Sequence, residues 1–372
     1  MRLAWRNLKY DRLRFAATIL GIAFATFLMV FQGDLFMGFL HSASNVIDAA
    51  DADLWIVPRR VSCFQYGAPM PKRFRDLAFG VPGVQSVARV LSGWVPYQTP
   101  SGSQRIVFVI GGDSDMGARV PLPYLQGNSG PLLRENLVID KSNLQILEIT
   151  SLPVQVEVNG SRASVVRVTD GFGSFVGAPF VFTSYFDAER YLEIAPEYTM
   201  FLLVSVSPGA DIHRVQQELQ ERLPEADVLT KRQFSNHARF FWAIETGAGG
   251  ALLIAALLGF LVGLVVVSQN IYATTIEGLD EFATLKAMGA SRRYIQGVVL
   301  NQAIISGLIG SFLGLAMTFP IVKVSRSIVS WVETPWWIPV VMIAVSLAMC
   351  ALASLISIRK AVSVEPARVF RE

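Results

Sequence analysis

The stretch that decides the fold is AGGALLIAALLGFLVGLVVV, residues 248–267, in which no residue carries a charge. A helix rises about 1.5 Å per residue, so a run of about 20 apolar residues crosses the roughly 30 Å hydrocarbon layer of a bilayer. A helix also satisfies its backbone hydrogen bonds internally, which is necessary where no water is available. The sequence therefore predicts a membrane-spanning helix at this position.

Three further runs have the length and composition of spanning helices, at residues 15–31, 297–322 and 336–358. The composition agrees, since 16% of the 372 residues are charged, against about 25% in soluble domains. A basic leader precedes the first run, but no convincing small-residue cleavage site follows it. This favours an uncleaved anchor over a signal peptide. The predicted class is a helical membrane protein with one N-terminal and three C-terminal spans.

Basic residues flanking the spans predict the orientation. Lys and Arg are concentrated in residues 1–14, in the 268–296 connector and in the tail from Arg359, whereas the last connector holds only Lys323 and Arg326. Short cytoplasmic flanks are enriched in these residues. Both termini and the 268–296 connector are thus predicted to be cytoplasmic. These flanks account for the net charge of +3, which gives no reason to expect nucleic acid as a partner.

The segment between the first two spans is long enough to fold around its own core. Its patterns predict strands at 52–59, 84–99, 104–113, 200–207 and 226–231, with amphipathic helices at 71–80 and 210–223. Two right-handed strand–helix–strand units of this kind predict a ferredoxin-like layer. The middle block, about 120–195, predicts an inserted β-rich subdomain, so the extracytoplasmic domain is expected to be α+β.

The connector between the second and third spans contains a short helix-forming stretch, LDEFATLKAMG, residues 279–289, which we call the finger. Phe282, Leu285 and Met288 are predicted to share one face of this helix. Gly289 suits a left-handed C-terminal cap, after which a second helix re-enters the membrane. The finger is therefore expected to be rigid and to present an apolar face over a charged rim.

Two occupants of that face are conceivable, the bilayer surface and a protein. Helices that lie on a bilayer usually carry a strongly basic polar face. Residues 268–296 instead hold three acidic and three basic residues. This balance favours a protein partner.

Aromatic residues precede the fourth span. Trp331, Trp336 and Trp337 lie in the stretch WVETPWW. Because Trp is enriched at membrane–water interfaces, these residues predict an interfacial belt, in preference to a contact with a lipid-like substrate.

Several motifs together resemble a known family. EFATLKAMGASRRYI (281–295) lies before the last two spans, LAWRNLKYDRLR (3–14) precedes a lone N-terminal span, and RKAVSVEPARVFR (359–371) forms the tail. The outer NLVIDKSNLQILEI, VEVNG and SVVRVTD segments match more loosely. Over nearly the whole chain the sequence resembles ABC-transporter permeases of the MacB/FtsX/LolC type, within that group most like the DevC branch.

The resemblance implies that the finger is a coupling helix that docks on a separate ATPase subunit. The residues implied in docking are Glu281, Phe282, Leu285, Lys286, Ala287, Met288 and Gly289. The chain would be the permease subunit of an exporter that works by mechanotransmission in a bacterial inner membrane, with the second-span helix carrying the motion. Its substrate would be lipid-like or otherwise amphiphilic.

Further partners follow from the same resemblance: a homodimer, a membrane-fusion adaptor of the HlyD-like class and an outer-membrane channel. The alternatives are an FtsX-like protein that switches an outer hydrolase, a lipoprotein-release permease and an ATPase-independent sensor. The expected parts are a first segment with its span at 1–36, the outer domain at 37–247, three spans with the coupling helix at 248–358, and a cytoplasmic tail at 359–372.

The sequence lacks the motifs of several kinds of catalytic site. A phosphate-binding loop needs G-x-x-x-x-G-K-S/T, and the nearest stretch, GDSDMGA from Gly112, has Ala118 at the Lys position. Neither H-E-x-x-H nor G-x-S-x-G occurs. We therefore expect a transporter subunit without catalytic or metal-binding residues, with ATP and Mg bound by the partner ATPase.

Two glycine pairs with G-x-x-x-G spacing occur in the spans: Gly259 with Gly263, and Gly310 with Gly314. Small residues at this spacing let two helices approach closely. The sequence leaves open whether the contact is within one subunit or at a dimer seam.

Overall fold

The structure is a computed structural model that describes residues 12–113, 132, 134–277, 279–325, 331–332 and 334–362. It divides into two compact units. The first, which we call the membrane unit, comprises the described residues of Met1–Gly38, Gly250–Ile328 and Val332–Glu372. The second, which we call the sheet unit, comprises those of Phe39–Gly249 and Val329–Trp331.

The described residues contain both helices and strands. The helices are α1 (Arg12–Ala49), α2 (Phe74–Phe79), α3 (Tyr185–Tyr191), α4 (Ile212–Arg222), α5 (Lys231–Phe240), α6 (Ala248–Glu277), α7 (Leu279–Ala287), α8 (Arg292–Ser325) and α9 (Trp337–Val362). The strands are β1 (Leu54–Pro58), β2 (Met70–Pro71), β3 (Val84–Gln98), β4 (Gln104–Gly112), β5 (Asn136–Asp140), β6 (Val154–Val158), β7 (Ser161–Thr169), β8 (Phe180–Ser184), β9 (Tyr198–Thr199), β10 (Phe201–Val206) and β11 (Ala226–Thr230). A π-helix covers Phe241–Glu245.

Among the described residues, four helices are long and apolar enough to cross a membrane, namely α1, α6, α8 and α9. The predicted arrangement of one N-terminal and three C-terminal spans is therefore confirmed. The N-terminal 11 residues and the tail from residue 363, which are predicted to be cytoplasmic, lie outside the described residues.

Helix α1 is much longer than the apolar run that predicts it. It extends over 38 residues, as far as Ala49, whereas the predicted run ends at residue 31. Beyond that point Phe39, Ala43 and Ile47 recur at helical spacing and are buried. From Phe39 onward the extension belongs to the sheet unit and most of its side chains are buried, so a hydropathy scan for spanning helices does not detect it.

One glycine pair brings α8 into close contact with α1. A Cβ atom placed on Gly310 would lie 2.6 Å from Cβ of Ile22. A Cβ on Gly314 would lie 3.0 Å from Cβ of Thr26 and would also collide with the carbonyl oxygen of Ala23. Only glycine allows this approach, and the contact is made within one chain.

In the second pair, Gly263 makes a close contact with another helix, and Gly259 makes a loose one. A Cβ on Gly263 in α6 would lie 2.7 Å from Cβ of Ala25 in α1. For Gly259 the nearest atom is Cβ of Leu28, at 3.9 Å, which is ordinary van der Waals contact. Three of the four glycines thus serve packing inside the subunit, and Gly259 is not required for it.

Three buried hydroxyl groups also connect the spans. Thr26 and Ser346 share a hydrogen bond of 2.9 Å, and the Ser311 hydroxyl donates to that of Ser346 at 2.8 Å. These residues belong to α1, α9 and α8, and none of them is exposed. Hydroxyls that bond to one another in this way hold helices together inside a membrane.

The sheet unit contains a nine-stranded sheet, with the order β11-β1-β10-β3-β4-β8-β5-β7-β6 among the described residues. The first four strands are antiparallel neighbours. Their order along the chain gives the 4-1-3-2 arrangement of a ferredoxin-like layer, so this prediction is confirmed. Helices α2 and α4 pack on one face of the layer, and α1 and α5 pack on the other.

The remaining strands form a small barrel. At one end β3 pairs with β10, and at the other end it pairs with β4. Tyr97 and Gln98 at its end also pair with β6, which closes the ring β3-β4-β8-β5-β7-β6. The barrel core contains Val109, Ile139 and Val181. The β-rich part expected at about 120–195 therefore begins earlier, because β3 is long enough to serve both the layer and the barrel.

Glutamine side chains cover the edge of the sheet at β11. Gln220 accepts a hydrogen bond from the Val228 amide at 2.9 Å and donates to the Ala226 carbonyl at 2.8 Å. Gln216 donates to the Val228 carbonyl at 2.8 Å. Unpaired N–H and C=O groups on an edge strand can form hydrogen bonds with a strand of another chain. The two glutamines of α4 satisfy these groups without another strand.

We expect Gly314→Ala to lower the free energy of unfolding by about 1–3 kcal/mol, because the added methyl group must displace the backbone of α1. Gly259→Ala is the matched control and should be neutral or stabilising by up to ~1 kcal/mol. Thermal unfolding of the purified protein in detergent measures both variants. Equal effects would contradict the packing described here.

We expect Gln220→Leu to increase amide exchange at Val228 by roughly fivefold, because the lost hydrogen bond is worth about 1 kcal/mol net. Gln217→Leu is the control, since Gln217 is exposed on the same helix and bonds only to Glu221 in the described structure. Hydrogen-exchange mass spectrometry of the β11 peptide gives the comparison. Unchanged exchange in the first variant would show that the glutamine does not protect the edge.

Candidate functional site

The finger ends in a hydrogen-bonded cap. The Ala290 amide donates to the Leu285 carbonyl at 2.9 Å, and the Gly289 amide donates to the Lys286 carbonyl at 3.0 Å. Gly289 has φ +93°, in the left-handed region. This pair of bonds is the Schellman motif, which closes a helix and satisfies its last carbonyls. The predicted glycine cap is therefore confirmed.

The next helix begins immediately after the cap. The Tyr294 amide donates to the Ser291 hydroxyl at 3.3 Å and to its carbonyl at 3.0 Å. A serine in this place is an N-cap, which fixes the first turn of α8. Since only Met288, Gly289, Ala290 and Ser291 separate α7 from α8, the connection has little freedom to bend.

The expectation that Phe282, Leu285 and Met288 form one exposed face is wrong for Phe282. Its side chain is 3% exposed and belongs to a cluster with Ile271 of α6 and Ile295 of α8. Leu285 is partly buried against the same cluster. These two side chains fasten the finger to the spans.

Met288 alone of the three points away from the spans, with 72% of its surface exposed. Helical geometry explains the difference. Each step of three residues turns a side chain by about 300°, so two steps leave Phe282 and Met288 about 120° apart. Met288 also lies just beyond Ala287, where α7 ends.

The exposed end of the finger combines apolar and cationic groups. We call it the finger tip; its members are Ala287, Met288, Gly289, Arg292, Arg293 and Tyr294, all of them exposed. Lys286 is half-buried, and the side chain of Glu281 lies outside the described structure. An exposed thioether beside two guanidinium groups suits a pocket that is apolar inside and acidic at its rim.

Sequence reasoning did not include Arg292, Arg293 and Tyr294 in the site. Their position in the first turn after the Ser291 cap is the signal that could have found them, because residues there adjoin the end of the finger. Within the described ranges, His, Cys, Asp and Glu form no group of three or more that could hold a metal ion.

A second feature, also missed, is a polar clamp at the end of α1. Asp48 accepts a hydrogen bond and ion pair from Arg239 of α5 at 2.7 Å, and a short hydrogen bond from the Ser235 hydroxyl. Lys231 donates to the Ala50 carbonyl at 2.8 Å, where α1 ends. These contacts hold the last turn of α1 against α5 inside the sheet unit.

The loop at residues 171–177 is attached to α1. The Ser42 hydroxyl donates to the Gly173 carbonyl, and the Phe172 amide donates to Asp140 at 2.8 Å. The barrel is thereby connected to the helical extension.

The chain between α5 and α6 is irregular. A π-helix covers Phe241–Glu245, and Gly247 follows with φ +73°. A Cβ on Gly249 would lie 2.5 Å from Cα of Ala243, so the backbone folds back closely here. Helix α6 therefore starts after a break, whereas α1 has none between Arg12 and Ala49.

Known proteins resemble both parts of the chain. A model of the MacB-like periplasmic core domain matches residues 15–222, and a model of the FtsX-like permease C-terminal region matches residues 248–366. The periplasmic region of MacB from Actinobacillus actinomycetemcomitans aligns over 52% of this chain and 94% of that structure, with 11% identity and a TM-score of 0.37.

Relatives of this chain are described as ABC transporter permeases. An uncharacterized ABC transporter permease of Methanocaldococcus jannaschii is 21% identical over 353 residues, which cover 87% of this chain and 84% of that protein. One of Mycobacterium tuberculosis is 28% identical over 126 residues, which cover 32% of this chain and 34% of that protein. Since the MacB-like core model alone matches more than half of the chain, the protein belongs to the ABC transporter permeases that have a MacB-like periplasmic core domain and an FtsX-like C-terminal region.

Proposed function

We propose that this protein is the transmembrane subunit of an ABC exporter, and that its finger tip is the surface on which the ATPase docks. Membership of the permease family implies an ATPase partner. The docking surface is assigned from one observation, the exposure of Met288 at the end of a rigid helix. That helix is capped at Gly289, and the cap at Ser291 follows directly. In this proposal Met288 is the anchor, and Arg292 and Arg293 contact acidic groups at the groove rim.

The buried part of the finger connects the docking surface to the spans, so that a force on the tip reaches them. Phe282 lies between α6 and α8 in the core of the membrane unit. Because packed interiors resist compression, a displacement of the tip moves both helices instead of being absorbed. In this proposal Phe282 and Leu285 transmit force, and they do not contact the ATPase.

We assign the transmission of motion along the chain to α1, in place of the second-span helix. Helix α1 packs against α6 and α8 through glycines and continues without interruption to the clamp at Asp48. The route through α6 meets the π-helix and Gly247. A continuous helix transmits displacement better than a segment with a break.

The remaining parts of the proposal extend the family assignment. The protein lies in a bacterial inner membrane with both termini and the finger in the cytoplasm, as its basic flanks favour. It works as a homodimer, since two ATPases need two fingers, and the dimer does not use the Gly310 and Gly314 face, which α1 covers. A DevC-like exporter would handle an amphiphilic substrate together with an HlyD-like adaptor and an outer-membrane channel.

We expect Met288→Asp to weaken co-purification of the ATPase by roughly tenfold or more, because a central anchor contributes about 2 kcal/mol or more. Phe79→Asp is the control, since Phe79 is exposed in the sheet unit. Phe282→Ala should instead lower the melting temperature, because it leaves a cavity costing about 3 kcal/mol or more. An ATPase that binds Met288→Asp as well as it binds the Phe79→Asp control would refute the docking site, and co-purification of a cell-wall hydrolase without an adaptor would favour the regulatory alternative.

We expect Arg239→Gln to loosen the end of α1 against α5, although Ser235 and Lys231 keep their hydrogen bonds to it. ATPase binding should be unchanged, because the clamp lies entirely in the sheet unit. Hydrogen exchange of residues 44–49 should rise, and the ATP-dependent change in exchange of the sheet unit should be lost. Arg214→Gln removes the exposed pair with Glu218 and is the matched control, worth about 0.5 kcal/mol or less. A normal ATP response in Arg239→Gln would exclude the clamp from the transmission path.

A further inference from the structure

A cluster of aromatic rings brings together parts of the sheet unit that are far apart in the chain. The ring of Phe175 lies 4.7 Å from that of Phe39 and 4.7 Å from that of Trp242, edge to face in both pairs. Tyr66 stacks on Trp242 at 6.1 Å and meets Phe241 at 5.8 Å. These five residues, which we call the aromatic cluster, come from α1, the 171–177 loop, the turn after β1 and the π-helix. Four of these rings each contact at least two others of the cluster, and Phe39 contacts Phe175 and also the ring of Trp331 at 6.2 Å, so the rings restrain one another.

The aromatic cluster has an apolar rim that is open to solvent in the single chain. Tyr66 is 57% exposed, Phe240 58% and Ile244 56%. Phe240 and Ile244 are four residues apart on adjoining helical turns, which keeps them on the same side. Exposed large apolar residues are common singly, but here Tyr66 contacts Phe241 and Trp242, and Phe240 and Ile244 flank these two residues in the chain. Several such residues around one packed aromatic base mark a surface that something covers.

The chain itself limits how far this rim is from the membrane. Ile244 precedes Ala248, the first residue of a candidate span, by four residues. Four residues reach at most about 14 Å when fully extended. On the other side Phe39 follows the end of the first apolar run, residue 31, by eight residues within one continuous helix, which is about 12 Å.

The headgroup layer occupies about 5–8 Å on each side of the hydrocarbon core. The short connection to α6 therefore allows Ile244 to lie in that layer, whereas Phe39, in the supporting cluster, lies at or beyond its outer edge. The chemistry of the surface agrees with this location. Tyr and Trp are enriched at membrane interfaces because each has an apolar ring and one polar group. Here Tyr66 contributes a hydroxyl, and the Trp242 ring N–H donates to Gln65 at 3.2 Å.

We propose that the rim formed by Tyr66, Phe240 and Ile244 inserts into the headgroup layer of the bilayer, with the aromatic cluster as its rigid support. The lipid surface is favoured as the occupant because the rim adjoins a span in the chain and carries the residue types of an interface. The sheet unit is in this way held to the lipid surface by its own side chains as well as by its connections. This inference does not depend on the ATPase or on a substrate.

The test uses an environment-sensitive thiol probe on the full chain in lipid nanodiscs. Cys63 and Cys350 are both buried, and burial raises the pKa of the Cys63 thiol to about 11. Because the thiolate is the reactive form, labelling at pH 7 falls on an introduced cysteine. Ile244→Cys carries the probe, and Phe240→Cys provides a second position if the first variant folds poorly. Nanodiscs of brominated phosphatidylcholine are compared with nanodiscs of the unbrominated lipid.

The expected result is a loss of emission in brominated lipid for the probe at position 244 and, in the second variant, at position 240. Phe79→Cys is the matched control, because Phe79 is 59% exposed and follows Phe74 and Ala78 of α2, which pack on the other face of the sheet from the aromatic cluster. Its emission should be the same in both lipids. Equal emission in both lipids at positions 244 and 240 would overturn the proposal. A blue-shifted but unquenched probe would identify a protein cover, such as a second copy, and quenching at Phe79→Cys to the same extent would show contact that is not specific; either result would also overturn it.

Discussion

The rest of the structure depends on the close approach of α1 to the other spans. Gly263 of α6 and Gly310 and Gly314 of α8 provide surfaces into which α1 fits, with Ala25 and Ile22 where a methyl group would otherwise stand. The Thr26 hydroxyl joins α1 to α9. Between apolar helices in lipid no hydrophobic force brings the surfaces together, so van der Waals contact and hydrogen bonds must do it. Small residues allow both, because they let the helices approach closely.

The same helix also organises the sheet unit. Val46 and Ile47 belong to the core that covers one face of the ferredoxin-like layer, together with Trp55 and Phe234. The clamp at Asp48 then ties the end of α1 to α5. One helix thus contributes to the packing of both units.

Much of the fold can be predicted from local signals. Spanning helices follow from hydropathy, the ferredoxin-like layer from two strand–helix–strand patterns, and the cap at Gly289 from its place after an apolar helix. The extension of α1, the closure of the barrel at Tyr97 and the burial of Phe282 could not be predicted, because each depends on contacts between distant segments. At the finger, periodicity correctly identified apolar residues but could not say which of them face the spans.

Strand β3 belongs to both the ferredoxin-like layer and the barrel, and this restricts how the sequence of the sheet unit can vary. Its 15 residues pair with β10 at one end and with β4 and β6 at the other. A shift of one position would turn every inward side chain outward in the layer and in the barrel at once. An insertion or deletion inside this strand would therefore disturb the layer and the barrel together, and a barrel moved to another protein would need the whole of β3 to keep both sets of pairings.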